Sequence, residues 1–238
     1  MQEPGTDPGA RSGGSEDGAN PGAAGSPAAA ALGPVVLEGR GVRLEPLRPH
    51  HREALLEAAA FPEIWPWLSA DLRAPDAMDR WIAEAQDAER RGTEFAFAVV
   101  LRDGGRAVGS TRYLDVAAAH RGVEIGWTWY TPAVWGSAVN PEAKLLLLRH
   151  AFESWGAVRV CLKTDGQNLR SQAAIARLGA VREGTLRQHR RRPDGSWRDT
   201  ATFSVVAREW PGVRDGLLRR LAPPEGAPPR LCEPVGGA

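Results

Sequence analysis

The hydrophobic and polar positions of the chain change their spacing several times, and each change marks a different predicted element. Apolar residues that alternate with polar ones, or that form short runs between turn residues, indicate strands. Apolar residues spaced by three or four positions indicate helices. We therefore predict strands at residues 42–47, 94–101, 107–114, 123–130, 159–164, 180–189 and 197–206, and helices at 50–60, 76–91, 140–155 and 169–178.

Turn and cap residues support these boundaries. Gly92 follows a predicted helix, where glycine commonly ends the helical turn. The tetrads at 102–105 and 192–195, RDGG and RPDG, fit hairpin turns. Residues 140–142, Asn-Pro-Glu, fit a helix start in which Asn140 is the N-cap and the first turn is negative. The mixed order of strands and helices predicts an α/β or α+β domain with a mixed sheet.

The two ends of the chain differ in composition from the part between them. Residues 1–33 and 222–238 are rich in Gly, Pro and Ala and poor in large apolar side chains. Such segments bury too little surface to offset the entropy of ordering them. We therefore predict two disordered tails around one folded domain at residues 34–221, a size that suits a single core.

Charge and cysteine content exclude several classes of protein. Lys and Arg number 30 against 29 Asp and Glu, so the basic excess of a nucleic-acid binder is missing. The run HRRR at 189–192 fits a solvated turn, with nucleic-acid binding as a weaker alternative. The two cysteines lie far apart and predict neither a disulfide framework nor a metal site. Since no segment resembles a membrane span or a secretion signal, we expect a cytoplasmic protein without metal, nucleic-acid or membrane partners.

A loop of small residues precedes the helix predicted at 140–155. Small side chains let a ligand approach backbone N–H groups, and a helix N-terminus adds unpaired donors and a partial positive charge. The loop therefore suits a pyrophosphate, although an ordinary strand-to-helix turn is the alternative. Its residues are Trp135, Gly136, Ser137, Ala138, Val139 and Asn140.

The segments after this loop carry a family resemblance. They read RVCLKTD, then Asn168-x-x-Ser171, then LGA at 178–180 and EGTLR at 183–187. In this order the chain resembles the GNAT N-acetyltransferase superfamily, and its tail resembles the branch of RimJ/RimL-type ribosomal-protein-alanine acetyltransferases. The resemblance spans roughly residues 42–208. It implies a GNAT-like mixed, mostly antiparallel sheet flanked by helices, and transfer of an acetyl group from acetyl-CoA to an amine.

The resemblance also implies how acetyl-CoA is held. Residues 135–140 would bind its diphosphate, and the fourth and fifth predicted strands would separate to admit the pantetheine arm. The main chain at Trp127, Thr128 and Trp129 would bind that arm from one side, and one N–H there would polarise the thioester carbonyl. Asn168 would bind it from the other side, although an asparagine at this place is also an ordinary helix cap.

Further residues are implied in catalysis and in acceptor binding. Glu124 would remove a proton from the substrate ammonium, which is no nucleophile while protonated. A solvated strand position, or an ion pair with Arg112, is the alternative for Glu124. Ser171 would contact the CoA thiol as a general acid, with a plain first-turn serine as the alternative. Trp65 and Trp67 would help to wall the acceptor pocket, or else pack in the core.

The chain departs from the family pattern at two places. Trp135, Ala138 and Asn140 occupy loop positions that usually hold Arg or Gln and two glycines. Ile175 stands where many members have a tyrosine acid. The preferred prediction is an N-acetyltransferase acting on a protein N-terminal α-amine, as a monomer or homodimer. A small-molecule amine acetyltransferase and a non-catalytic acyl-CoA-binding module are the alternatives.

Overall fold

The structure is a computed structural model that describes residues 32–192 and 194–222. The two predicted tails, 1–33 and 222–238, lie outside the described residues except for positions 32, 33 and 222. Their disorder stays a prediction.

One eight-stranded sheet forms the centre of the described part. The strands are β1 Leu37–Glu38, β2 Val42–Pro46, β3 Phe95–Leu101, β4 Ala107–Ala117, β5 Gly122–Tyr130, β6 Arg159–Asp165, β7 Val181–Arg191 and β8 Trp197–Val206. Their order in the sheet is β1-β2-β3-β4-β5-β6-β8-β7, and only the β5–β6 pair is parallel. The prediction of a mixed, mostly antiparallel sheet is therefore confirmed.

Helices cover both faces of this sheet. They are α1 Arg52–Ala59, α2 Pro75–Arg90, α3 Val139–Arg149, α4 Leu169–Ala176 and α5 Trp210–Leu221. Residues of α1 and α2 form one core cluster, and residues of α3, α4 and α5 form the other. The central strand β3 serves both, because Phe97 and Val99 face α3 whereas Ala98 and Val100 face α2. This is the two-sided burial expected of a sheet between helical layers.

Two helical features differ from the sequence prediction. Helix α5 was not predicted, because Gly212 and several arginines interrupt its apolar pattern. Its buried face consists of Trp210, Val213 and Leu217, spaced as on one side of a helix. The helix predicted at 140–155 is α-helical only to Arg149, after which His150–Ser154 form a short π-helical turn.

Candidate active site

The parallel strands β5 and β6 separate after a short pairing. Gly122, Val123 and Glu124 pair with residues 159–161, but β5 continues to Tyr130 without further β6 partners. Backbone groups of residues 125–130 on that side therefore have no strand partner among the described residues. A cleft of about 430 Å³ opens there, lined by β5, β6 and the N-terminal parts of α3 and α4.

Most of the residues predicted for the site line this cleft. They are Trp67, Glu124, Trp127, Thr128, Trp129, Trp135, Gly136, Ser137, Asn140, Asn168 and Ser171. Ala138 and Val139 do not line it, since Ala138 is exposed and Val139 points into the core.

A β-bulge shapes the β5 side of the cleft. Trp127 has a φ of 48°, and the β4–β5 register shifts between Ser110 and Arg112. One extra residue reverses the alternation of side chains across a sheet. Trp127 and Trp129 therefore both pack toward α2, whereas Thr128 turns toward α3 and contacts Lys144. Left-handed backbone at a bulky residue is strained, which is typical of functional sites.

The loop before α3 presents unpaired backbone donors. The amides of Gly136, Ala138 and Asn140 donate no hydrogen bond to any described residue. Gly136 has a φ of 77°, a left-handed conformation that glycine adopts readily. Amides at a helix N-terminus carry partial positive charge, so this loop suits an anion.

The predicted N-cap at Asn140 is wrong by two residues. Helix α3 begins at Val139, and Ala138 occupies the cap position. The Ser137 hydroxyl accepts a hydrogen bond from the Val139 amide at 3.2 Å and takes over the capping. Asn140 thus lies inside the first turn, at the edge of the cleft.

Glu124 is a buried carboxylate on the α2 face of the sheet. Its side chain is 9% exposed, and Lys163 Nζ lies 2.6 Å from its Oε2, off the direction of a well-formed hydrogen bond. Burial raises the pKa of Glu124, and Lys163 opposes part of that rise. The alternative pairing with Arg112 is not observed. Arg112 instead pairs with Glu94 at 2.9 Å and stacks on Trp81 and Trp127.

Comparison with known proteins places this chain in a family. A family model described as an acetyltransferase (GNAT) domain matches residues 42–181. The chain belongs to the GNAT acetyltransferase family.

Solved GNAT structures resemble the chain over most of its length. A protein from T. thermophilus assigned as an acetyltransferase is 39% identical, with a TM-score of 0.73 over 80% of this chain and 99% of that one. A GCN5-related N-acetyltransferase from Brucella melitensis is 28% identical, with a TM-score of 0.76 over 82% and 89%. The comparison with curated proteins gives no match. The expected activity class, an acetyl-CoA-dependent N-acetyltransferase, is confirmed.

RimJ of Mycobacterium smegmatis, solved in complex with CoA-disulfide, is also among the similar structures. It is 23% identical, with a TM-score of 0.70 over 79% of this chain and 95% of that one. At this identity the likeness shows a shared fold and no more. The chain thus shares its fold with a RimJ protein.

Asn168 and Ser171 lie at the start of α4. Asn168 Oδ1 accepts a hydrogen bond from the Ser171 amide at 2.9 Å, so Asn168 is a helix cap. Its Nδ2 and the Ser171 hydroxyl make no hydrogen bond to any described residue, and both side chains line the cleft. Ile175, at the place of the usual GNAT tyrosine, is buried and apolar.

The two tryptophans predicted for the acceptor pocket have different surroundings. Trp67 is 38% exposed and lines the cleft. Trp65 is instead buried in the core, where its Nε1 donates to the Ala59 carbonyl at 3.0 Å and its ring packs on Trp129. The packing alternative therefore describes Trp65, because its indole supports the β5 residues from behind.

Lys144 lies in the middle of α3 and was not among the residues predicted for the site. Its side chain is buried and lines the cleft, and its Nζ donates to Thr128 Oγ1 at 2.6 Å and Thr111 Oγ1 at 3.0 Å. Burial lowers the pKa of Lys144 to about 7. One signal was available in the sequence, since Lys144 and Lys163 are the only lysines of the chain.

One cluster of possible metal ligands lies apart from the cleft. Glu45, His50 and His51 are close enough together to hold a metal ion. His51, however, already uses both ring nitrogens, toward the Arg48 amide and the Glu45 carboxylate, so the group is accounted for by hydrogen bonding. The expectation of no metal stays a prediction.

Among the described residues no helix has the length and apolar character of a membrane span.

Proposed function

We propose that this GNAT enzyme acetylates the N-terminal α-amine of a protein, with both substrates bound at once and the amine attacking the thioester directly. The observation that carries the proposal is the position of Glu124, a buried carboxylate at the point where β5 and β6 separate. Holding two reactants together replaces a bimolecular encounter and supplies much of the rate acceleration.

The residues around the cleft fit acetyl-CoA. The pantetheine arm would lie between β5 and β6, where the backbone of residues 125–130 has donors and acceptors free of strand pairing. The unpaired amides of Gly136 and Asn140, two residues that line the cleft, would hold the diphosphate. Asn168 Nδ2 is free to bind the arm, while its Oδ1 caps α4. Acetyl-CoA supplies the activated acetyl thioester.

Glu124 would take a proton from the amine, and the protonation chemistry favours an α-amine over a lysine side chain. An α-ammonium has a pKa of about 7.7–8.0, whereas that of a lysine is about 10.4. Burial raises the pKa of Glu124 and so narrows its gap to the pKa of either amine, and the gap to the α-amine is the smaller of the two. A base accepts a proton at a lower cost in free energy when its pKa is nearer to that of the proton donor.

The rim of the cleft supports a large acceptor. Glu63, Trp67 and Ser69 line the cleft and are exposed, so the start of a polypeptide has access from this side. Main-chain N–H groups near the Trp127 bulge would hold the oxyanion, a contribution often worth several kcal/mol in acyl transfer. Ser171 would contact the sulfur.

An acceptor panel tests the proposal. Release of CoA thiol is followed with acetyl-CoA and, in turn, peptides with free α-amines, the same peptides with blocked N-termini and one lysine, and small amines. We expect turnover only with free α-amines. Turnover with small amines alone would support the small-molecule alternative. Thermal stabilisation by acetyl-CoA of several degrees without turnover of any amine would support the non-catalytic module.

A further inference from the structure

The chain uses lysine at two positions, and both side chains line the same cleft. All its other basic residues apart from histidine are arginines. Lysine and arginine differ in one relevant property. A buried lysine can lose its proton, whereas a buried arginine stays charged. Lys163 has an ion-pair partner in Glu124, but Lys144 has no carboxylate partner among the described residues. A buried ammonium without a counter-charge destabilises a fold, so its presence calls for a functional reason.

The neighbours of Lys144 hold its ammonium in place by hydrogen bonds, but none of them is a carboxylate paired with it. Thr111 on β4 and Thr128 on β5 each accept one of its three N–H donors, and the two hydroxyls lie 2.8 Å from each other. On α3 itself, the Glu142 carboxylate is turned away toward the backbone amides of Arg40 and Gly41. Burial is the cause of the lowered pKa of Lys144.

The departing thiolate needs a proton donor, and this chain has no tyrosine at the position where many GNAT enzymes have one. Ile175 replaces the GNAT tyrosine with an apolar side chain that also lines the cleft. Lys144 reaches the cleft from α3 and packs, like Ile175, on the face of the sheet opposite Glu124. A donor for the leaving group is thus present on the side away from the base.

We propose that Lys144 is the general acid that protonates the departing CoA thiolate. The proposal rests on the proposed function. As the amine nitrogen bonds to the acetyl carbon, the bond from that carbon to sulfur breaks and its electron pair goes to sulfur. The substrate ammonium has first passed one proton through Glu124 to water; the ionised Glu124 then receives the second proton from the attacking amine nitrogen, and Lys144 gives one proton to sulfur. The products are the amide, the CoA thiol, protonated Glu124 and neutral Lys144, and exchange with water restores both groups.

Two properties favour Lys144 over Ser171 as the proton source. A serine hydroxyl gives up its proton only at very high pH, so Ser171 donates a hydrogen bond to sulfur without supplying the proton. The pKa of Lys144, about 7, is in the range where a general acid is both protonated and a good donor near neutral pH.

NMR of the wild-type protein tests the first requirement without any substitution. Lysine labelled with ¹³C at Cε gives two side-chain resonances, assigned with the variants Lys144→Arg and Lys163→Arg. We expect Lys144 to titrate about three pH units below an ordinary lysine, and Lys163 at or above the ordinary value because Glu124 pairs with it. Titration of Lys144 above about pH 9 overturns the proposal, whether or not an acceptor has been found.

Kinetics with the best acceptor test the second requirement. We expect Lys144→Met to lower kcat by about 10²-fold at nearly unchanged KM for acetyl-CoA, and to abolish the alkaline decline of kcat. Arg149→Met, which removes a cation from the exposed side of the same helix, serves as the control and keeps wild-type kcat. A raised KM at unchanged kcat, or an alkaline decline that persists, contradicts the proposal. If Lys144→Met does not fold, the NMR titration still decides.

Discussion

Glu124 and Lys144 line one cleft from opposite faces of the same sheet. Glu124 lies on the α2 face, as does Arg112, the cross-strand partner of its neighbour Gly126. Lys144 lies on the α3 face, where the bulge at Trp127 has turned Thr128 toward it. The sheet therefore keeps Glu124 and Lys144 from forming an ion pair. In the proposed reaction, Glu124 takes a proton from the amine nitrogen and Lys144 gives one to the sulfur.

Replacing Glu124 by glutamine is expected to lower kcat by about 10²- to 10⁴-fold, because the amide keeps the shape but accepts no proton at neutral pH. In the wild type, the carboxylate acts only when ionised. Since burial raises its pKa above the ordinary value, kcat is expected to decline on acidification at a pH above 4.5. Rate profiles against pH with saturating substrates measure both effects.

The control for this substitution is Glu183→Gln, which removes a carboxylate paired with Arg159 outside the cleft. It is expected to retain wild-type kcat. An unchanged rate in Glu124→Gln would show that another group, or water, takes the proton, and the proposed role of Glu124 would have to be abandoned.

Lys144→Met is expected to stabilise the protein, most strongly at neutral pH and below. The pKa of Lys144 is about 7 in the folded state and about 10.4 in the unfolded state, so the unfolded state binds more protons between these values. The free energy of unfolding of the wild type therefore rises with pH in this window, by up to about 1.4 kcal/mol per pH unit from this group. Methionine carries no such penalty.

Urea unfolding of both proteins at pH values between 6 and 10 checks this, because that range covers most of the window between the two pKa values of Lys144. The advantage of Lys144→Met is expected to shrink as the pH rises. A constant difference would mean that Lys144 titrates normally, and a lower stability of the variant at every pH would show that the ammonium holds the fold together.

The sequence predicted the fold well because its elements are marked locally. The continuous apolar run of β3 and the spaced apolar face of α2 are visible in one stretch of chain each. The bulge at Trp127 was not predicted, because its left-handed backbone follows from the packing of Trp127 over Arg112 and Trp81 rather than from any turn residue.

The candidate site was predicted where the family motif carries it and missed where it depends on distant contacts. Glu124 and Asn168 follow from the motif order. Lys144 lies in the run AKLLLL, where its neighbours indicate a core helix and hide a buried amine. Only the approach of Thr111 and Thr128, which are distant in sequence, gives this lysine its surroundings.

Two substitutions of Asn168 are expected to separate its roles. Asn168→Asp keeps an oxygen that accepts from the Ser171 amide, so α4 stays capped, but it loses the amide donor proposed to bind pantetheine. Asn168→Ala loses both, with a cost in stability of about 0.5–2 kcal/mol. We expect weaker acetyl-CoA binding in both variants and reduced thermal stability only in Asn168→Ala. Equal acetyl-CoA affinity in all three proteins, measured by calorimetry, would limit Asn168 to capping.

Glu142 ties the N-terminal strands to the start of α3. Its buried carboxylate accepts hydrogen bonds from the backbone amides of Arg40 and Gly41. The contact requires glycine nearby, because a Cβ at Gly39 would lie 2.5 Å from Glu142 Oε1. Removing the carboxylate leaves two amides without their acceptor, next to the loop that presents the proposed diphosphate donors.

Glu142→Ala is therefore expected to destabilise the protein by about 1–3 kcal/mol, and to lower the melting temperature by about 2–4 °C for each kcal/mol. Gly39→Ala is expected to act in the same direction, since the added methyl displaces the same carboxylate. Glu53→Ala, at an exposed position of α1, is the matched control and stays near wild type. Because the loop from Gly136 to Asn140 rests on this helix start, both destabilised variants are also expected to bind acetyl-CoA more weakly. Unchanged affinity together with lowered stability would show that the loop keeps its shape without the N-terminal strands.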